Sequence, residues 1–179
     1  AMTVLIADIG GTNARFALTP SDGTPALIEQ RSLPAAEFAS LQHAAEHYLA
    51  LVGARPTRAA IAVACPVAGD EVRLTNRAWS FSQAELQRSL KLDALTVIND
   101  FGAVAHAVPG LRSEDVMTLH GSDELPPQGP VTVLGPGTGL GIALLVGEAT
   151  SGWRVVETEG GHVSFAPQGD EEWRIARWL

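Results

Sequence analysis

The chain of 179 residues contains one cysteine, Cys65, and one lysine, Lys91. A lone cysteine excludes an internal disulfide and any zinc site built from several thiolates, and it points to a reducing, cytoplasmic compartment. Twelve Lys and Arg against twenty Asp and Glu leave a formal charge of −8. That is the wrong balance for duplex nucleic acid, whose binding rests on cations neutralising phosphates. Long hydrophobic runs are also missing: none nears the roughly 20 residues that span a bilayer. A strand pattern begins directly after Met2, which predicts neither a secretory leader nor a membrane partner. What is present is a hydrophobic content of 46% with 18% charged residues, the composition of a globular domain of one or two lobes with a real core.

The stretch "LIADIGGTNARFAL", Leu5 to Leu18, places an acid, paired glycines, a threonine and an asparagine between two alternating apolar runs. Two readings are open. Paired glycines can simply supply the backbone freedom of a hairpin turn. Alternatively, Gly10 and Gly11 let bare N–H groups approach an anion such as phosphate, with Thr12 and Asn13 adding donors and Asp8 standing opposite as a metal-facing carboxylate. No lysine followed by Ser or Thr closes the glycines, and the following "ARFAL" is strand-like, so the familiar strand–loop–helix phosphate loops do not fit. An acidic protein that handles a polyphosphate must neutralise it locally. Backbone dipoles, an arginine such as Arg15 and a divalent cation, magnesium, would do so.

Downstream, "ALIEQRSL" predicts a third strand ended by Pro34. Phe38, Leu41, Ala45, Leu49 and Val52 predict one apolar helix face that stops near Gly53. His43 and His47 lie one turn apart on that helix without a companion carboxylate motif and read as a solvated face. "RAAIAVACPV" has the continuous apolar character of a strand buried on both faces of a parallel sheet, with Cys65 as a small core residue. "EVRLTN" predicts a strand ending at Asn76, and Ser82 with Glu85 a capping box for a helix containing Leu86 and Leu90. "ALTVIND" predicts another buried strand, closed by Asn99 and Asp100 at its carboxyl end, where ligands gather in α/β sheets. Asp100 can cap the helical "FGAVAHAV" that follows or serve as an active-site acid, and the two roles are compatible. His106 within that helix reads as packed or partly exposed. Residues 119–130, "LHGSDELPPQGP", form a loop and a candidate lobe boundary.

"VTVLGPGTGLGIALLV" repeats the strand, glycine loop, strand pattern. Leu140 stands where a dinucleotide fingerprint needs its third glycine, and Ile142 to Val146 reads as a strand rather than a helix, which argues against a nicotinamide fold. Two such turns could grip one polyphosphate from two lobes, Thr138 supplying a hydroxyl. "VVETEGGHVSF" ends a strand in Glu159, two glycines and His162, groups able to hydrogen-bond the hydroxyls of a polyol; a plain turn with solvated side chains is the alternative. The final "GDEEWRIARWL" predicts a helix capped by Asp170.

In order and number these motifs resemble the bacterial ATP-dependent glucokinases, of the zinc-free group, within the actin- and hexokinase-like ATPase superfamily. The resemblance rests on "DIGGTNARFAL", "ACPVAGDEVRLTNRAWSF", "INDF", "GPGTGLG" and "EGGHVSFAP". It implies an α/β, ribonuclease H-like (actin-like ATPase) lobe over residues 2–110, with a mixed sheet flanked by helices, and the beginning of a larger lobe over 111–179. It also implies ATP and Mg2+ as cofactors and glucose as substrate. Asp100 would be the general base for the sugar 6-hydroxyl, and Asn99, Glu159 and His162 would hold other hydroxyls. Asp8, Ile9, Gly10, Gly11, Thr12 and Asn13 would line the ATP phosphates, with Asp8 reaching magnesium through water, and Gly137, Thr138 and Gly139 would face them. Family members also carry a further sugar-contacting glutamate and an adenosine-binding glycine motif that these 179 residues do not contain, so little turnover is expected of the chain alone. A sensing module without chemistry is the competing class, although no DNA-reading helix pair precedes the first strand. Hexose preference and oligomeric state, a homodimer included, stay open.

Overall fold

The structure, a computed structural model, describes residues 2–74, 79–122, 125, 129–137 and 139–178. The chain divides into two compact units, Ala1–Ala107 and Val108–Leu179.

The first unit is built on a five-stranded sheet. Strands β1 (Thr3–Ile9) and β2 (Asn13–Pro20) form an antiparallel hairpin, and β3 (Ile28–Pro34) adds to β2. After helix α1 (Leu41–Val52) the chain returns as β4 (Arg58–Val63), parallel to β1. A short hairpin of β5 (Glu71–Arg73) and β6 (Ser80–Ser82) and helix α2 (Gln83–Ser89) lead to β7 (Ala94–Asn99), parallel to β4, and helix α3 (Asp100–Ala107) follows. The strand order is β3-β2-β1-β4-β7.

Alternation along these strands sets which face is covered. Leu5, Ala7 and Ile9, Ala14, Phe16 and Leu18, and Ala59, Ile61 and Val63 are all buried, in one core with Leu41, Ala44, Ala45 and Tyr48 of α1 and Leu86 of α2. Tyr48 stacks on Phe16 at 5.2 Å between ring centroids and donates its hydroxyl to the Glu29 carbonyl at 2.9 Å. The intervening residues of β4 are only half-buried. The "RAAIAVACPV" run therefore has one fully covered face and not the two that were expected, because the helices packed on this sheet do not cover both faces equally. Cys65 is buried, as read from the sequence.

Helix boundaries show how side chains satisfy the first and last backbone groups. Ser40 caps α1 by accepting from His43 N–H, and Gly53 ends it in the left-handed conformation at φ 66°. Phe38, placed by periodicity on the helix, instead lies ahead of it in extended backbone, where the Ser40 cap has not yet begun the helix. Ser82 caps α2 through Glu85 N–H at 3.1 Å; Leu90 falls just past the helix end. Asp70 joins this cap, accepting from Ala84 N–H and the Ser82 hydroxyl, and these bonds hold its carboxyl below the usual carboxylate range. The predicted strand end at Asn76 lies outside the described residues. His43, His47 and His106 are exposed.

The second unit carries a three-stranded antiparallel sheet of β8 (Val131–Pro136), β9 (Leu140–Glu148) and β10 (Gly152–Thr158), ordered β10-β9-β8, with Ala143 and Leu145 buried. Ile142 to Val146 is thus a strand, as read. Helix α4 (Gly169–Trp178) begins one residue before Asp170. Asp170 is accordingly not the cap, and it is Glu172 that reaches back to accept from Gln168 N–H at 2.6 Å. The 119–130 loop falls inside this second unit. Among the described residues no helix is long and apolar enough to cross a membrane.

Candidate active site

Within the first unit, register places the candidate residues along one edge of the sheet. Ile9, Val63 and Asn99 are level across the parallel strands β1, β4 and β7. The Gly10–Thr12 turn and Asp100 therefore both leave the carboxyl edge, two strand spacings apart, about 10 Å between backbones. Asp8 sits one residue inside β1 opposite Arg15, and their side chains form an ion pair at 2.8 Å with both partners about half exposed. The arginine expected to neutralise phosphate is thus paired with the carboxylate expected to face a metal. The side chain of Ile9 is fully buried, so only its backbone can face a ligand.

The hairpin turn is closed by Gly10 N–H donating to the Asn13 carbonyl at 3.0 Å, and Thr12 carbonyl accepts from Ala35 N–H at 3.0 Å. Gly10 does not have a positive φ, and a Cβ built on it would meet only Asn13 O at an ordinary 3.6 Å. The turn thus does not require glycine at this position for its own backbone.

Asn99 and Asp100 are half-buried at the β7 to α3 junction. Here the cap comes from Asn99 and not from Asp100. Asn99 Oδ1 accepts from Phe101 N–H at 2.9 Å and Gly102 N–H at 3.2 Å, while its Nδ2 donates to the Cys65 carbonyl at 3.2 Å. Asp100 is the first helical residue, and its Oδ1 accepts from the same Phe101 N–H at 2.8 Å. With both lone pairs of its oxygen occupied, Asn99 could offer a sugar at most an N–H. Burial first, and the charge of Asp100 second, push the Cys65 thiol above its ordinary pKa, so the carboxylate and the thiol sense each other.

In the second unit the turn after β8 holds Gly137 and Gly139, both exposed, with Gly137 N–H donating to Gly139 carbonyl at 2.8 Å; Thr138 lies outside the described residues. Neither glycine has a positive φ, and among the described residues nothing lies within 4 Å of a Cβ on Gly139 and one on Gly137 meets only Gly139 O at 3.7 Å. Glu159 precedes and His162 ends a short helical turn, Gly160–His162, and the two pair through Oε2 and Nδ1 at 3.0 Å on the surface. Thr158 Oγ1 accepts from Gly160 N–H and donates to the Ile142 carbonyl, tying this turn to β9. Gly161 packs so closely that a Cβ there would overlap the carbonyl oxygen of Leu140, the residue directly after the glycine turn. Sequence reasoning gave Gly161 no special role; its contact is with a residue 21 positions earlier, and no local signal announces it.

A sequence model of the glucokinase family matches residues 5–179. The chain belongs to the glucokinase family. It is 44% identical over 171 residues to a glucokinase of Yersinia pestis, covering 96% of this chain and 52% of that protein. The chain thus spans about half the length of the curated relatives it matches. Among solved structures, a glucokinase from an Antarctic psychrotroph superimposes with a TM-score of 0.85 at 40% identity, covering 99% of this chain and 56% of that one. The glucokinase of Balamuthia mandrillaris in complex with glucose gives 0.77 at 24% identity over 99% of this chain and 54% of that one, a likeness of fold. The mixed β3-β2-β1-β4-β7 sheet flanked by helices is that of the ribonuclease H-like, actin-like ATPases, as the resemblance implied.

Proposed function

We propose that this glucokinase-family chain contributes the general base, the sugar-facing groups and two phosphate-facing turns to transfer of the γ-phosphoryl group of ATP to the 6-hydroxyl of glucose, the entry reaction of glycolysis in the cytoplasm. The observation that carries this reading is that three glycines of these two turns meet no need of the fold. At Gly10, Gly137 and Gly139 neither φ nor a close internal contact requires the missing side chain. What benefits from its absence is a ligand approaching the backbone N–H groups.

In this reading Gly10, Gly11, Thr12 and Asn13, with the backbone of Ile9, line the phosphates on the lobe spanning 2–110, and Gly137, Thr138 and Gly139 do so on the lobe spanning 111–179. Asp100 accepts the hydroxyl proton as the oxygen attacks, while Asn99, Glu159 and His162 orient the sugar. Phosphoryl transfer is mostly positioning and charge neutralisation, so a half-buried carboxylate level with a phosphate turn suits the task. Magnesium binds through one or two carboxylates plus substrate phosphates rather than an all-protein cage. The half-exposed Asp8 fits that donor set, and the described residues hold no cluster of three metal-ligating side chains. When bound, the ion neutralises charge on the phosphates.

The test is Asp100→Asn in a protein carrying this chain at the length of its relatives, assayed for ADP release with glucose, ATP and Mg2+. Loss of a general base typically lowers turnover by about 10² to 10⁴, with glucose binding retained. Unchanged turnover removes Asp100 from the role, and a wild type that binds glucose without phosphorylating it supports a sensing module instead.

A further inference from the structure

We propose that Asn99 is a positioning residue for Asp100, fastening the base to the first phosphate turn through a continuous run of hydrogen bonds; this rests on Asp100 being the base. The run begins at the residue before Gly10. Ile9 carbonyl accepts from Ala64 N–H at 3.3 Å, and Cys65 N–H donates to Val63 carbonyl at 2.9 Å, which folds the residues after β4 into a tight bend. The Cys65 carbonyl then accepts from Asn99 Nδ2 at 3.2 Å, and Asn99 Oδ1 takes the Phe101 and Gly102 N–H groups at 2.9 and 3.2 Å. Three strand ends and the start of α3 are thereby linked, and Asp100 lies between the residue that makes the link and the amides it holds.

The Phe101 N–H is shared between Asn99 Oδ1 and Asp100 Oδ1, at 2.9 and 2.8 Å. While Asn99 takes part of it, that N–H stabilises the charged carboxylate less than it would alone. Without Asn99 the N–H goes wholly to Asp100, which turns the carboxylate toward its own helix and favours its charged form. From the bend after β4, Cys65 is the ionisable group facing Asp100. Within β4 and β7 the only ionisable side chain is Arg58, at the opposite end of β4, and within α3 the only other one is His106, near the far end of the helix.

The experiment uses Asn99→Ala, Asn99→Asp and Asp100→Asn in the protein at the length of its relatives, with glucose KM, kcat and the pH profile of kcat measured for each. Expected is a fall in kcat of about 10- to 100-fold for Asn99→Ala, as a displacement near 1 Å produces, beside any rise in glucose KM from the loss of its N–H to the sugar. The acid limb should move to lower pH in Asn99→Ala. In Asn99→Asp, which retains a capping oxygen and adds a like charge beside the base, it should move to higher pH. A merely structural role would not move the limb in opposite directions. Glucose KM raised tenfold or more at unchanged kcat and unchanged limb would overturn the proposal and make Asn99 a sugar ligand only. Asp100→Asn separates the two ideas: if it stays active, the base assignment fails, whereas an inactive Asp100→Asn beside a normal Asn99→Ala sinks the positioning role alone. Should Asn99→Ala not fold, Asn99→Gln, which keeps the amide but displaces it by one methylene, takes its place, and a kcat and acid limb equal to wild type would overturn the proposal.

Discussion

Replacing Gly161 by alanine adds one methyl group where two backbone segments of the second unit approach closely. That methyl would overlap the Leu140 carbonyl oxygen and lie 2.8 Å from its carbonyl carbon and 3.2 Å from its Cβ. The obstacle is main chain in a paired strand, since Leu140 is matched to Pro136 across the β8–β9 hairpin, so rotation of a side chain cannot relieve it. The Gly160–His162 turn must instead withdraw by something on the order of 1 Å, and overpacking of this kind costs about 1–3 kcal/mol. The withdrawal carries Glu159 and His162 away from the glycine turn that precedes Leu140. If those side chains orient the sugar, a shift of that size lowers kcat/KM by about 10². The assay is glucose phosphorylation by the protein at the length of its relatives, run beside a thermal melt, with Gly110→Ala as control because a Cβ there meets nothing within 4 Å. A Gly161→Ala protein with the melting temperature and kcat/KM of the control would refute both the packing argument and the placement of the sugar turn.

Gly139→Ala gives the converse pattern. Open space surrounds the added Cβ, so stability should be unchanged while ATP affinity falls at least severalfold; a parallel loss of melting temperature and ATP binding would show that the glycine serves the fold. A third expectation concerns alkaline pH. The Cys65 thiol is raised above its ordinary value near 9.0, by burial and then by Asp100, so the fold holds the neutral thiol, and the stability this contributes is present below about pH 9 and is lost as pH rises through the folded value. Urea midpoints should therefore fall more steeply above pH 9 in the parent chain than in Cys65→Ala, and parallel curves would contradict it.

Much of the candidate site was legible because its signals are local. Alternation of apolar residues on either side of Gly10–Thr12 and of Gly137–Gly139 marks strands wherever the chain folds, and β1, β2, β8 and β9 stand where that pattern put them. Misreadings occurred where a local rule had more than one candidate. Asp100 and Asn99 are both good caps, and the choice of Asn99 was made by the reach of its amide to the Cys65 carbonyl, 34 residues away. Phe38 keeps helical spacing with Leu41 yet precedes the helix, since Ser40 takes the cap. Asp170 lost the cap position of α4 because the helix starts at Gly169.

Residue type at short separation was enough to reveal the glycine turns, the strand and helix periods and the family. Tertiary structure alone decided that Asp8 faces Arg15, that Gly161 rests on Leu140 and that Ile9, Cys65, Asn99 and Asp100 form one connected edge. The reason is physical: strand register and backbone packing bring together groups far apart in the chain, and those distances arise only once the sheet has chosen its order.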